Sequence, residues 1–167
     1  SSHITIEDSI VTGTYENAID FVAVQYERIV GNDISNGPDP ATDWCAYVKG
    51  GSAHITVRDN RIHDCGTGGF TAGQGTGFEY MVAPWLTYEA EYIDVLNNTI
   101  HDTDGAGLGV NGGRHIRMSG NVLHRIGYRS HAVEFVHGAR SCDGDTDTCA
   151  AHNSAGGWGG VGMDGQY

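Results

Sequence analysis

The feature that most constrains this chain is a segment it repeats. His54-Ile55-Thr56-Val57-Arg58-Asp59-Asn60-Arg61-Ile62-His63-Asp64 recurs as Tyr92-Ile93-Asp94-Val95-Leu96-Asn97-Asn98-Thr99-Ile100-His101-Asp102, and again from His115 to Arg125. Tyr26 to Asn36 is a looser copy, and His3 to Val11 is a fifth in which Ser9 stands where the others have Asn. The anchors Ser9, Asn32, Asn60, Asn98 and Asn121 lie 23, 28, 38 and 23 residues apart, a base period of 23 with two insertions. That period is too short for two packed helices and fits one coil of a β-helix. Within each copy the apolar residues alternate, as Ile55 with Val57 and Ile93 with Val95, which is the spacing of a strand with one buried face.

Two residues past each anchor sits another apolar residue (Val11, Ile34, Ile62, Ile100, Leu123), and a Gly-containing turn then leads to a second short strand. Those second strands read Ala18 to Phe21, Ala46 to Val48, Gly69 to Ala72, Gly107 to Val110 and Ala132 to Phe135. Each coil is thus expected to supply strand, bend, strand and turn. Asn suits the bend because its amide donates to one neighbouring coil, accepts from the other and tolerates left-handed geometry. Stacked at the coil spacing of about 4.8 Å, Asn60, Asn98 and Asn121 would form a ladder with a structural role.

These copies resemble the repeats of the pectin-lyase-like superfamily of right-handed parallel β-helices, over residues 3 to about 137. The stretch from Gly69 to Cys142 is also similar to uncharacterised bacterial secreted β-helix proteins. The resemblance implies an all-β solenoid of about five coils with long loops over residues 1–140. Residues 141–167 would form a closed loop and a Gly-rich tail that packs on the solenoid or continues it. The superfamily holds polysaccharide lyases, glycoside hydrolases, epimerases and non-catalytic surface proteins, so the fold does not fix a reaction.

A formal charge of −12, from 21 acidic against 9 basic residues, repels phosphate backbones and argues against nucleic acid as a partner. No run approaches the roughly 18 apolar residues of a membrane span. The start at Ser1 enters the strand pattern with no signal peptide ahead of it, so any export signal is expected to have been removed or omitted. Cys142 and Cys149 bracket a short polar loop that a disulfide would close; Cys45 and Cys65 either make a second bridge between coils or stay as small buried thiols. An even count of four fits an oxidising, extracellular compartment.

Function is sought first in the insertions, which leave a solenoid's core intact and emerge as loops. The larger, around Glu79, Tyr80, Trp85, Tyr88 and Glu89, combines rings that stack on sugars with carboxylates that accept hydroxyl hydrogen bonds. Beside it the second-strand sheet would project Asp20, Lys49, Thr71, Gln74, Asn111 and Glu134, with Ile19, Phe21, Phe70, Leu108 and Val110 turned inward. A lyase needs a base to take the proton α to a uronate carboxylate, and the resemblance points to Lys or Arg. Lys49 (the only lysine) and Arg129 are the candidates. His131 and Glu134 complete the catalytic set, with Gln74, Glu79, Tyr80, Trp85, Tyr88, Asn111 and Arg114 as substrate contacts. Paired carboxylates among Glu79, Glu89 and Glu134 would instead serve a hydrolase. His63, His101 and His124 fall in one column that stacking alone explains, although three imidazoles also suggest metal. Asp143, Asp145 and Asp147 alternate like the first ligands of a calcium loop, without the Gly and Glu such a loop requires. The function expected is a secreted carbohydrate-active protein, with lyase action on an acidic polysaccharide aided by calcium as its catalytic form. A non-catalytic glycan-binding or adhesive module is the alternative.

Overall fold

The computed structural model describes residues 1–37, 43–76, 80 and 88–136. Every regular element there is a strand. The first coil supplies β1 (Thr5–Glu7), β2 (Ile10–Val11) and β3 (Ile19–Val22), and the second β4 (Arg28–Val30), β5 (Asp33–Ile34) and β6 (Trp44–Lys49). The third holds β7 (Ser52–Arg58), β8 (Arg61–Cys65) and β9 (Gly68–Ala72), and the fourth β10 (Ala90–Leu96), β11 (Thr99–Thr103) and β12 (Leu108–Asn111). The fifth closes the described part with β13 (Gly113–Ser119), β14 (Val122–His124) and β15 (Val133–Val136).

Corresponding strands pair in parallel as three five-stranded sheets: β1-β4-β7-β10-β13 (sheet 1), β2-β5-β8-β11-β14 (sheet 2) and β3-β6-β9-β12-β15 (sheet 3). Each coil therefore has three strands rather than the two expected. The difference lies at the anchor. The residue before it takes a left-handed backbone (Asp8 φ 48°, Gly31 69°, Asp59 56°, Asn97 54°, Gly120 70°), turning the chain so that Asn-x-Ile-His runs as a strand of its own. The anchor itself is not the left-handed residue, so its side chain is free to serve the ladder alone.

That ladder is complete. Asn60 Nδ2 donates to Asn98 Oδ1 (2.9 Å) and back to the Ile29 carbonyl (2.9 Å), while its Oδ1 accepts from the N–H and Nδ2 of Asn32 (2.9 and 3.1 Å). Asn98 repeats the pattern with Asn121, Val57 and Asn60. Both donors and both acceptor sites of each buried amide are used, which removes the desolvation cost of burying it.

Registers stack like on like, with Ile29, Val57 and Val95 in one column and Ile34, Ile62 and Ile100 in another. These residues are fully buried, each contributing about 2 kcal/mol of apolar burial. Ile19, Phe21, Phe70 and Leu108 fill the side under sheet 3 as expected. A disulfide joins Cys45 to Cys65 across adjacent coils, with Cα atoms 5.3 Å apart. Cys142 and Cys149, and the whole 141–167 segment, lie outside the described residues.

Candidate functional site

Sheet 3 presents its outer face on the side that the sequence nominates. Parallel register aligns Asp20, Tyr47, Thr71, Gly109 and Glu134 in one outward column. β6 runs from Trp44 at one end of this face to Lys49 at the other, about 16 Å at roughly 3.3 Å per residue, and the two ends differ chemically.

At the Trp44 end is a cavity of about 270 Å³ lined by Trp44, Thr67, Asp104, Arg129, Ser130 and Glu134, with backbone from Gly66, Gly105 and Ala106. Its floor is the Trp44 indole, which lies across β9 and β12 because both strands carry Gly beneath it. A Cβ on Gly68 would stand 2.5 Å from Trp44 Cζ3, and one on Gly109 2.7 Å from Cη2. Trp44 and Ala106 pack with Tyr47 as an apolar cluster separate from the main core. Arg129 lies 3.8 Å from Asp104 through its Nε and is otherwise open to solvent, so the pair is weak.

At the Lys49 end the polar side chains bind one another. Lys49 Nζ donates to Tyr47 Oη (3.2 Å) and Gln74 Oε1 (3.1 Å) and sits 4.3 Å from the Tyr47 ring centre. Tyr47 donates to Asn17 Oδ1 (2.6 Å), and the network runs back along the face to Asp43, next to Trp44, which accepts from Asn17 and Gln74 (both 3.3 Å). Burial raises the Asp20 carboxyl above its ordinary range, an effect that the Lys49 charge partly offsets. Burial, then the charges of Asp20 and Asp43, push the Tyr47 phenol up as well, so it stays protonated. Two oxygen acceptors and a ring face thus hold the Lys49 side chain against its own face.

Arg129 and Glu134 thus meet in one cavity, whose lining does not include Lys49 or Gln74. His131 is exposed in the turn before β15 and does not line the cavity. Tyr88 and Arg114 are brought together, but away from the cavity: Arg114 Nη1 donates to Tyr88 Oη (3.2 Å) and its Nε faces Glu91 Oε1 (3.2 Å). Asn111 ends β12, half-buried, and Tyr80 is exposed. Glu79, Trp85, Asp143, Asp145 and Asp147 lie outside the described residues. Glu89 serves the backbone of two turns. It is fully buried and clamps two turns, accepting from Gly50 N (2.8 Å), Thr76 N (2.9 Å) and Thr76 Oγ1 (2.7 Å).

The histidine column of sheet 2 stacks as its spacing requires, with ring centres 5.1 Å (His63 to His101) and 4.9 Å (His101 to His124) apart. Nearly parallel rings send their in-plane lone pairs in parallel directions, which cannot converge on one ion. The Nδ1 atoms of His63 and His101 are also taken by Asp64 (2.6 Å) and Asp102 (2.5 Å). The metal reading of this column is corrected accordingly, and among the described residues no three His, Cys, Asp or Glu groups gather as a cation site.

Two features escaped the sequence reading. Trp44 was missed because strict alternation places it with Ala46 and Val48 on the inner face, whereas Cys45 and Ala46 both enter the core and free Trp44 to turn outward. The second is a ladder of stacked rings, His3, Tyr26, His54, Tyr92 and His115, with neighbouring centres 4.7–5.3 Å apart. Its signal was visible, since every copy of the repeat opens on His or Tyr.

A family model described as a right-handed β-helix region matches residues 1–154. A search of curated proteins returned no match.

Proposed function

The chain belongs to the right-handed β-helix family, a fold consistent with carbohydrate-active proteins, and on that footing we propose that it binds a polysaccharide along the outer face of sheet 3. One sugar sits in the Trp44 cavity. The observation that carries this reading is the joining of an indole floor, carboxylates and a guanidinium in one recess, the combination that packs against a sugar face while hydrogen bonding its rim. The Cys45–Cys65 disulfide fits an exported protein, and no helix is long and apolar enough to cross a membrane.

A second reading, favoured by Arg129 and Glu134 lining the same cavity, is catalysis there. In β-elimination Arg129, in its neutral form, would take the proton α to a uronate carboxylate as the carbon–carbon double bond forms and the β carbon–oxygen bond to the leaving sugar breaks, that oxygen gaining its proton from water, while Lys49 engages another carboxylate further along the chain. In hydrolysis Asp104 and Glu134 would flank the bond. Among the described residues no three His, Cys, Asp or Glu groups gather as a cation site, and the calcium candidates Asp143, Asp145 and Asp147 lie outside them.

The test is calorimetric binding of a panel of neutral, acidic and amino oligosaccharides to the wild type, Arg129→Gln and Glu134→Gln. Binding that weakens in both variants is expected. No binding to any member, or variants that bind like the wild type, would refute the assignment. Ultraviolet absorbance from unsaturated products would identify a lyase, and new reducing ends without absorbance a hydrolase.

A further inference from the structure

The charge of the Trp44 cavity narrows the class of sugar. Asp104 has Arg129 as its counter-ion. Glu134, half-buried on the outer face of β15, makes no hydrogen bond or ion pair among the described residues. Two carboxylates, Asp104 and Glu134, against the single guanidinium of Arg129 leave the lining of the cavity with a net negative charge beside an indole. A carboxylate and an aromatic surface in one recess attract a cation twice over, by ion pairing and through the ring quadrupole. They repel an anion.

The rest of the face has the same bias. Asp20, Asp43, Asp104 and Glu134 outnumber Lys49 and Arg129, and Lys49 is occupied by Tyr47 and Gln74. The whole chain carries −12. A volume of about 270 Å³ is below the roughly 300–1,000 Å³ of pockets that hold drug-sized ligands, and it suits a single ring. The Ser130 hydroxyl also lines the cavity, within reach of the ring's own hydroxyls.

We propose, resting on the glycan reading above, that the Trp44 cavity selects a cationic amino sugar, seating its ammonium between the Glu134 carboxylate and the indole. This separates the protein from binders of acidic glycans, whose sites must supply positive charge.

The experiment compares three short oligomers by calorimetry: β-1,4-linked glucosamine, its fully N-acetylated counterpart with the same backbone, and oligogalacturonate. Because an acidic protein attracts any polycation, Glu7→Gln is the control. It removes the same charge from an exposed residue of β1 in sheet 1. The glucosamine oligomer is expected to bind at least about tenfold tighter than the acetylated one. Glu134→Gln should abolish that preference while Glu7→Gln leaves it intact. As a measurement that needs no variant, raising the pH until the sugar amines lose their protons should weaken wild-type binding to the level of the acetylated oligomer.

Equal binding of the acetylated oligomer would overturn the selection of an amine and leave the glycan reading standing, as would tighter binding of oligogalacturonate. Equal losses in Glu134→Gln and Glu7→Gln would show diffuse attraction and overturn the cavity's role. Binding of none of the three would overturn this inference, and silence across the wider panel would remove the glycan reading as well.

Discussion

Replacing Asn98 with Ala removes one amide from the middle of the ladder, and the structure specifies what is left behind. The Asn60 N–H and one Nδ2 hydrogen of Asn60 lose their shared acceptor, previously at 3.0 and 2.9 Å, and the Val57 carbonyl loses a donor at 3.0 Å. Asn60, Val57 and Asn98 are at most 2% exposed, so water cannot substitute. An orphaned buried group costs about 1–3 kcal/mol, and two orphaned donors with a weakened acceptor sum to about 4 kcal/mol. A domain of ordinary stability has about 5–15 kcal/mol to lose. Asn32→Ala is the matched comparison: the donor it abandons is the N–H of Ser9, which is exposed and rehydrates, so about 1–2 kcal/mol is expected. Guanidinium denaturation followed by circular dichroism measures both, provided the slopes stay equal. If Asn98→Ala costs less than about 1 kcal/mol, or no more than Asn32→Ala, the ladder is decoration and the argument from saturated amides is wrong.

Three further outcomes are expected. Converting both Cys45 and Cys65 to Ala opens a loop of 20 residues and should lower unfolding free energy by about 3 kcal/mol, measured by the same denaturation. Asp102 is held below its ordinary range of 3.8 by Arg125 (2.6 and 2.7 Å) and then His101, and its stabilising contribution is therefore complete above that value and lost as pH falls beneath it. Melting temperature should drop more steeply below about pH 4 in the wild type than in Asp102→Asn; parallel curves would contradict the assignment. Tyr92 takes a left-handed backbone (φ 56°) and stacks between His54 and His115. Tyr92→Gly should accordingly be more stable than Tyr92→Ala by about 1 kcal/mol, since Gly meets that geometry without strain.

The solenoid was legible because its determinants are local and periodic. Alternating Ile and Val fix which face is buried, and Asn at a fixed offset names the amide column. The third strand was not, because the turn that separates β7 from β8 rests on the backbone of Asp59, and Asp has no unique signature for a left-handed φ. The candidate site was legible by halves. Arg129 and Glu134 were nominated on polarity within the last described coil and do share a cavity, but Trp44 required knowing that two successive residues turn inward. Glu89 shows the opposite failure: a carboxylate beside an insertion reads as functional, yet its neighbours Gly50 and Thr76 come from other parts of the chain and bury it. Charge composition could not say which carboxylate stands without an ion pair among the described residues, since that depends on cross-coil pairing.

In the amide-to-amide bonds, Asn32, Asn60 and Asn98 each hand one hydrogen toward the carboxy-terminal neighbour, while the second hydrogen turns back to a carbonyl of the preceding coil. Their dipoles add rather than cancel, which gives the column an arrow and lets each bond polarise the next. New modules spliced between existing ones must respect that arrow. A 23-residue unit carrying its own Asn relays the hydrogens onward, whereas a unit without one halts the relay and strands the donors behind it. Growth by duplication is thereby favoured over growth by unrelated insertion along this edge of the molecule, while the turns flanking sheet 3 stay open to lengthening.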